Sequence, residues 1–287
     1  MWFVFILVSA LFSALCMVAM KLGVTTTDPV LASAINTIVV LVISWVAAIA
    51  MGACDGITSI DMRTLLFLVL AGAATGGVSM ANYCALGIGD VDTYLAVVRC
   101  SMVLTVVLSF LLLGDPFTLA SGVGTVFILA GSIAMVDGKR RSSGRSPTLK
   151  WIVYMVIAIV LSSTATLLGK VGISDVNSIL GTAIFSVMVF ILSNGLALVS
   201  GKWKQARAIP HRELLFILLS GVASAGMELT FYAGLQLQLT SIVMPVDKLL
   251  SGLITVIMAY VVFKEKVNKR AALGLCLVAL GSLLIMM

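Results

Sequence analysis

Charge is scarce in this sequence of 287 residues. Asp, Glu, Lys and Arg together make up 10% of the chain, whereas hydrophobic residues make up 61%. A soluble globular domain carries about 25% charged residues. The composition therefore excludes a soluble globular domain and indicates a polytopic membrane protein, in agreement with a mean hydropathy of +1.20.

Groups suited to catalysis or metal binding are also few. The chain has one histidine, His211, and five scattered cysteines that form no CxxC pair. It has no GxxxxGK[ST] loop for nucleotide phosphates, and no Ser/His/Asp arrangement stands out. We therefore expect no catalytic residue, no metal and no cofactor, and we expect that the chain is not an enzyme. The net charge of +6 resides in short loops, so we expect no nucleic-acid partner.

Apolar runs of about 20 residues recur along the chain, and each is long enough to cross a hydrocarbon core of about 30 Å. Only a helix satisfies its own backbone over such a length in lipid, so we predict an all-α fold with ten transmembrane helices. The first run lacks a basic start, so we do not expect a cleaved signal peptide. The predicted spans are 2–22, 30–51, 64–86, 92–113, 118–136, 151–171, 178–200, 213–236, 241–263 and 268–287.

The second half of the sequence repeats the first at a shift of 149 residues. The run "WFVFILVSALFSALCMVAMKLG" (2–23) aligns with "WIVYMVIAIVLSSTATLLGKVG" (151–172). Five spans is an odd number, so the second copy would cross the membrane in the opposite direction, which predicts two inverted five-helix repeats. The predicted domains are a first repeat over 1–138, a basic linker over 139–150 and a second repeat over 151–287.

Loop charge predicts the orientation of these spans. Fourteen Lys and Arg residues fall on the linker side of the predicted topology, and two, Arg63 and Lys170, fall on the other side. Because basic loops stay in the cytoplasm, this distribution places the linker inside and both termini outside. We expect a multi-pass protein of a bacterial inner membrane.

Recurrent motifs accompany the repeat. Each half opens on a helix that ends in Lys and Gly, "AMKLG" and "LGKVG", and closes on an acidic residue followed by a Gly-Ser helix. With five spans in each half, the chain resembles the drug/metabolite transporter superfamily, and specifically its EamA-type domains, over nearly its whole length. The segment "VMPVDKLLS" (243–251) is similar to a Pro-x-Asp-Lys stretch of some small EamA-type proteins, whereas the first half has "LAVVRCSMV" (95–103). The resemblance implies transport of small molecules, and family members are commonly drawn with cytoplasmic termini, opposite to the loop charges.

Charged side chains inside the spans are the candidate substrate-binding groups, because an ionisable residue at membrane depth needs a partner or an aqueous cavity. Lys248 and Arg99 occupy equivalent places in helices 9 and 4, and Asp247 and Glu228 are deep carboxylates. Side chains of helix neighbours point about 100° apart, so we expect that Asp247 does not simply pair with Lys248. Ion pairs that only hold the bundle together are the alternative. The other predicted substrate-binding residues are Tyr83, Tyr94, Tyr232 and Asn36.

Proton coupling and gating have their own candidates. Glu228 or Asp247 is the predicted proton acceptor. Pro245 removes a backbone hydrogen bond and is a candidate hinge, although a purely structural kink is an equal alternative. Lys21 and Lys170 end the first and sixth helices, where they either snorkel to the interface or act as gates.

The mixture of buried cations and anions favours a secondary-active transporter of small polar metabolites. The predicted solute is an amino-acid-like zwitterion or an organic anion, moved by alternating access with proton coupling or exchange. A multidrug exporter of lipophilic cations and a lipid-carrier flippase of a cell-envelope pathway are the alternatives. The expected partners are a small-molecule substrate, the lipid bilayer and the proton as candidate coupling ion. The sequence leaves the substrate, the direction and the oligomeric state open, and a monomer is sufficient.

Overall fold

The computed structural model describes residues 1–88, 101–115, 118–134, 149–263 and 269–286, and these residues form helices and short connections without strands. In the first half lie α1 (Trp2–Gly23), α2 (Pro29–Ala50), α3 (Met62–Ile88), the described part of α4 (Ser101–Leu113) and α5 (Leu119–Ala134). In the second half lie α6 (Leu149–Gly172), α7 (Ser178–Val199), α8 (His211–Leu237), α9 (Thr240–Phe263) and α10 (Lys269–Met286). The prediction of an all-α fold is confirmed.

Several of these helices are suited to a membrane. In the part of the chain that the structure describes, six helices are long and apolar enough to cross one, and they belong to α1, α2, α3, α6, α7 and α8. Shorter apolar helices cover Ser101–Leu113, Leu119–Gly131 and Cys276–Ile285. These lengths agree with a polytopic membrane protein, while the number of ten crossings stays a prediction. α6 already includes Leu149 and Lys150, at the end of the predicted linker.

Two short 3-10 helices, which the sequence did not predict, follow α2 and α7. They span Ala53–Ser59 and Lys202–Ala208, and their first residues are separated by the same 149 positions as the repeat. Each follows a glycine with positive φ, 65° at Gly52 and 68° at Gly201. Glycine suits this conformation because it has no Cβ to clash with the backbone. The sequence repeat is therefore also a repeat of local structure.

The helices of one half pack mainly against helices of the other half. α1 lies against α8 and α9, and its equivalent α6 lies against α3. α2 packs against α7, and α5 packs against α10. Under the 149-residue shift the pair α1–α8 corresponds to the pair α6–α3, so the same interface forms twice.

Close contacts define the relative directions of α1 and α6. Gly234, near the end of α8, contacts Ile6 near the start of α1. Lys170, near the end of α6, donates a hydrogen bond to the carbonyl of Leu235 on α8. The end of α6 therefore lies at the level where α1 begins, and the two equivalent helices run in opposite directions.

α5 and α10 cross at glycines. A Cβ on Gly124 would lie 2.5 Å from the carbonyl oxygen of Gly281, and a Cβ on Gly281 would lie 2.5 Å from that of Gly124. Such contacts are closer than a side chain permits, so only glycine allows this approach of the backbones. Ile128 and Val278 fill the space beside the crossing.

Candidate solute-binding site

Asp247 is a buried carboxylate at the interface of α9 and α1. Asp247 is 2% exposed, and its Oδ1 accepts a hydrogen bond from the Ser9 hydroxyl of α1 at 2.9 Å. Oδ2 accepts a hydrogen bond from Nζ of Lys248 at 3.1 Å. Both carboxylate oxygens thus have donors, which a buried charge requires.

The pairing of Lys248 with Asp247 corrects the expectation that these neighbours do not pair. That expectation was wrong because the angle of about 100° applies to the directions of the Cβ atoms. Lysine carries its ammonium on a flexible four-carbon stem, which folds back to the preceding side chain. The Lys248 side chain is 26% exposed. Of its three N–H donors, one bonds to Asp247, and no other acceptor for them lies among the described residues.

Glu228 on α8 is a second carboxylate within the bundle. Its Oε2 atom is buried and has no hydrogen-bond donor among the described residues. The Glu228 carboxylate is close enough to interact electrostatically with the Cys16 thiol on α1 and with the Tyr232 hydroxyl, one turn along α8. A buried carboxylate oxygen without a donor at membrane depth is a candidate for binding a proton or a cationic group.

The two carboxylates lie at nearly the same depth. Phe12 of α1 contacts Gly226 of α8, and the two helices are antiparallel, so Glu228 falls opposite residue 10. Asp247 falls opposite Ser9, to which it is hydrogen-bonded. The contact of Gly234 with Ile6 would instead place Glu228 opposite residue 12. At a rise of about 1.5 Å per residue the two carboxyl-bearing residues therefore differ by about 2–5 Å along α1.

Pro245 lies inside α9, two residues before Asp247. Its carbonyl accepts a hydrogen bond from the Ser282 hydroxyl of α10 at 3.3 Å. At the start of α9 the backbone N–H of Ser241 donates to Asp115, which follows α4, at 3.0 Å. Neighbouring segments thus hold α9 at its start and at the proline itself, and the role of Pro245 as a hinge stays a prediction.

Asn36 and Tyr232 make contacts between helices. Nδ2 of Asn36 on α2 donates to the hydroxyls of Ser220 at 2.9 Å and Ser224 at 3.4 Å, both on α8. The ring of Tyr232 is buried against Phe185 of α7, with ring centroids 4.9 Å apart. Packing accounts for both residues, and a part in solute binding stays a prediction.

Lys170 binds the end of α8. Its ammonium donates to the carbonyls of Leu235 and Gln238. The last carbonyls of a helix lack partners within the helix and attract cations. The ammonium of Lys170 therefore lies against the end of α8, and its snorkelling or gating role stays a prediction. Lys21 lies in the last turn of α1, and its gating role stays a prediction.

Three predicted residues are not described in full. Arg99 and Tyr94 lie outside the described residues, and for Tyr83 only the backbone, in α3, is described. The expected approach of Arg99 and Lys248 to one cavity stays a prediction.

Glu213, in the first turn of α8, is a functional candidate that sequence reasoning missed. Glu213 is 6% exposed, and its carboxylate accepts hydrogen bonds from the loop Thr25–Thr27 between α1 and α2. We call this cluster the Glu213 latch. The donors are the hydroxyls of Thr25, Thr26 and Thr27 at 2.5, 2.7 and 2.5 Å, and the backbone N–H groups of Thr26 at 3.1 and 3.3 Å and of Thr27 at 2.9 Å. The signal in the sequence is three consecutive threonines after a predicted helix.

An ion pair beside the Glu213 latch connects the start of α2 to the segment between α7 and α8. Nζ of Lys202 lies 2.6 Å from Oδ2 of Asp28, the residue that caps the start of α2. Beside this pair Trp203 packs on the apolar cluster that includes Leu31 and Ile217. Polar and apolar contacts therefore close this end of the bundle together.

Comparison with known proteins identifies relatives of the whole chain. The sequence pattern of the EamA-like transporter family matches residues 1–136 and 149–287, once in each half. A protein of Sinorhizobium sp, named "Uncharacterized transporter in cobO 3'region", is 34% identical over 135 residues, which are 47% of this chain and 95% of that protein. A solved crystal structure has the same fold, with a TM-score of 0.72 at 14% identity, and the superposition covers 97% of this chain and 94% of that one.

Proposed function

This chain belongs to the EamA-like transporter family, and on that basis we propose that it is a secondary-active transporter of small polar metabolites. It is an integral multi-pass membrane protein, and its bacterial relative fits a bacterial inner membrane. The proposed solute is an amino-acid-like zwitterion or an organic anion. The observation that carries this choice is the buried Asp247–Lys248 pair beside Ser9.

The energetics of the pair favour a role in transport. A charged residue at the centre of a membrane helix costs about 2.5–3.5 kcal/mol on insertion scales, and such residues mark solute and ion pathways. Asp247 and Lys248 offset part of this cost for each other. The ammonium keeps donors for a carboxylate, and Glu228, at nearly the same depth, offers an acceptor for an amine. We propose that these groups belong to one site, which presents groups for both ends of a zwitterion.

Alternating access between two inverted five-helix repeats is the proposed mechanism. Support comes from the opposite directions of α1 and α6 and from the equivalent interfaces α1–α8 and α6–α3. The Sinorhizobium relative matches 135 residues of this chain over nearly its own full length, which is about the length of one repeat. The proposal includes ten membrane crossings and repeats over 1–138 and 151–287, joined by the linker 139–150.

Glu228 or Asp247 is the proposed proton acceptor, and the state of Glu228 also favours a second candidate function. A buried carboxylate oxygen without a donor suits a lipophilic cation, so export of such cations is the alternative. The two functions differ in their dependence on Lys248, because a cation has no use for an ammonium in its site.

The test compares Lys248→Met with Lys204→Met, an exposed lysine in the segment between α7 and α8. Purified proteins are screened for thermal stabilisation by amino acids, organic anions and lipophilic cations, and a ligand at 100 times its Kd adds about 2.7 kcal/mol. We expect a zwitterion or anion to stabilise wild type and Lys204→Met but not Lys248→Met, and to be taken up into liposomes with the same dependence. Stabilisation by cations alone, equal in all three proteins, would refute the metabolite transporter and support the cation exporter.

A further inference from the structure

The Glu213 latch has an equivalent place at the opposite end of the bundle. The shift of 149 residues puts Thr64 of α3 at the position of Glu213, and it puts the loop 174–176 at the position of the three threonines. At this place the structure has an open pocket of about 380 Å³. We call it the α3–α6 pocket, and its polar lining consists of Asp61, Arg63, Thr64, Ser174 and Asp175.

The charged groups of the α3–α6 pocket are not paired with one another. Asp61, Arg63 and Asp175 all line it, yet none of the ion pairs within the described residues joins any two of them. The Arg63 guanidinium carbon lies 5.8 Å from the centroid of the Phe67 ring, which also lines the pocket. One oxygen of each carboxylate accepts a local hydrogen bond, Asp61 from the Arg63 backbone N–H at 3.3 Å and Asp175 from the Ser174 hydroxyl at 3.1 Å. The other carboxylate oxygens and the Arg63 guanidinium are available to the two ends of a dipolar molecule.

The latch indicates which group the equivalent space accepts. In the second repeat a carboxylate, that of Glu213, occupies the space between α8 and the loop after α1, where backbone N–H groups and hydroxyls donate to it. In the first repeat Thr64 has a shorter side chain that ends in a hydroxyl and brings no carboxylate. The first repeat therefore lacks the internal carboxylate that lies at the equivalent place of the second repeat.

We propose that the α3–α6 pocket binds a zwitterionic solute, with its carboxylate on Arg63 of α3 and its ammonium on Asp175, in the loop after α6. Phe67 and Val171 supply apolar walls for the rest of the molecule. The pocket lies at the end of the bundle where α1 begins, away from the latch, so it is a surface site distinct from Asp247 and Lys248. The solute class rests on the proposed transport function. The pocket and its lining residues do not depend on that function.

The test uses L-phenylalanine as the probe, because its ring matches the apolar walls. Its analogues 3-phenylpropionate, which lacks the amine, and phenethylamine, which lacks the carboxylate, probe each end separately. Binding is measured by equilibrium dialysis on the full chain carrying Lys248→Met, so that the inner pair does not contribute. Arg63→Gln and Asp175→Asn are introduced into this background. The matched control is Arg212→Gln, since Arg212 lies 6.0 Å from the ring of Phe216 at the equivalent place of the second repeat.

We expect phenylalanine to bind about tenfold more tightly than either analogue, with a loss of about tenfold in Arg63→Gln and none in Arg212→Gln. Asp175→Asn should weaken phenylalanine and phenethylamine but not 3-phenylpropionate. Absence of saturable phenylalanine binding, equal binding of the analogues, or full binding by Arg63→Gln overturns the proposal. If the proposed transport function is wrong, transport into liposomes will be the same in wild type and Lys248→Met. This result differs from those that overturn the pocket, so the two failures are distinguishable.

Discussion

Replacing Glu213 by glutamine tests whether the Glu213 latch stabilises the fold. The amide keeps the size and shape of the side chain but replaces one carboxylate oxygen by a nitrogen that cannot accept a hydrogen bond. The oxygen Oε2 accepts from the backbone N–H of Thr27 at 2.9 Å. A threonine hydroxyl can rotate to become an acceptor, but a backbone N–H cannot. The amide must therefore turn its oxygen toward Thr27, and the N–H of Thr26 then keeps only its longer bond of 3.3 Å.

The expected loss follows from the bonds affected. Hydrogen bonds to a charged group contribute about 1.5–3 kcal/mol each, whereas neutral ones contribute about 0.5–1.5 kcal/mol, so each bond that loses the charge loses about 1 kcal/mol. The bonds to the remaining oxygen weaken because the charge is gone. We therefore expect Glu213→Gln to lower the free energy of unfolding by about 3 kcal/mol.

The assay is reversible unfolding of the purified protein by SDS in mixed micelles. Asp55→Asn, the same change at an exposed residue, serves as the control and should stay within about 0.5 kcal/mol of wild type. Adding Thr27→Val to Glu213→Gln should cost less than the sum of the single changes, because both remove the same bonds. A Glu213→Gln variant as stable as Asp55→Asn would refute the argument that the latch holds this end of the bundle.

Two further predictions concern stability and use the same assay. Gly281→Ala should destabilise by at least about 2 kcal/mol, because the new Cβ would lie 2.5 Å from the carbonyl oxygen of Gly124, whereas Gly195→Ala, with no atom within 4 Å, should be neutral or stabilising. Equal effects of the two glycine changes would contradict the close crossing of α5 and α10. Lys170→Met should cost about 1–3 kcal/mol through the lost bonds to the end of α8, whereas Lys204→Met at an exposed site should have no effect; an unchanged Lys170→Met would argue for a solvated lysine.

Much of the candidate site was predictable because buried charge is conspicuous in an apolar sequence. Asp247, Lys248 and Glu228 stand out within spans that contain almost no other charge, and the structure places all of them inside the bundle. Their partners were not predictable. Ser9, which donates to Asp247, lies 238 positions away, and nothing in its neighbourhood distinguishes it from the other serines of the spans.

Glu213 was missed for a different reason. A glutamate near the start of a helix, beside a basic loop, is ordinarily a solvated residue that favours the positive end of the helix dipole. It became a buried acceptor only because the loop after α1 passes over the start of α8 and points hydroxyl and N–H groups at it. Lys170 is similar, since the carbonyls it binds belong to a helix more than sixty positions later in the chain.

The sequence by itself determined the membrane class, the positions of the helices and the twofold repetition of the chain, since hydropathy over a span and similarity at a fixed shift are local properties. Only the tertiary structure decided which faces meet, such as Ser9 with Asp247 and Gly124 with Gly281. The physical reason lies in the composition of the helices. A helix that is hydrophobic on all sides has no polar face to show which side is buried, and lipid is as apolar as the protein interior. The contacts therefore depend on shape, on small residues and on a few polar groups, and these become specific only when the helices are packed.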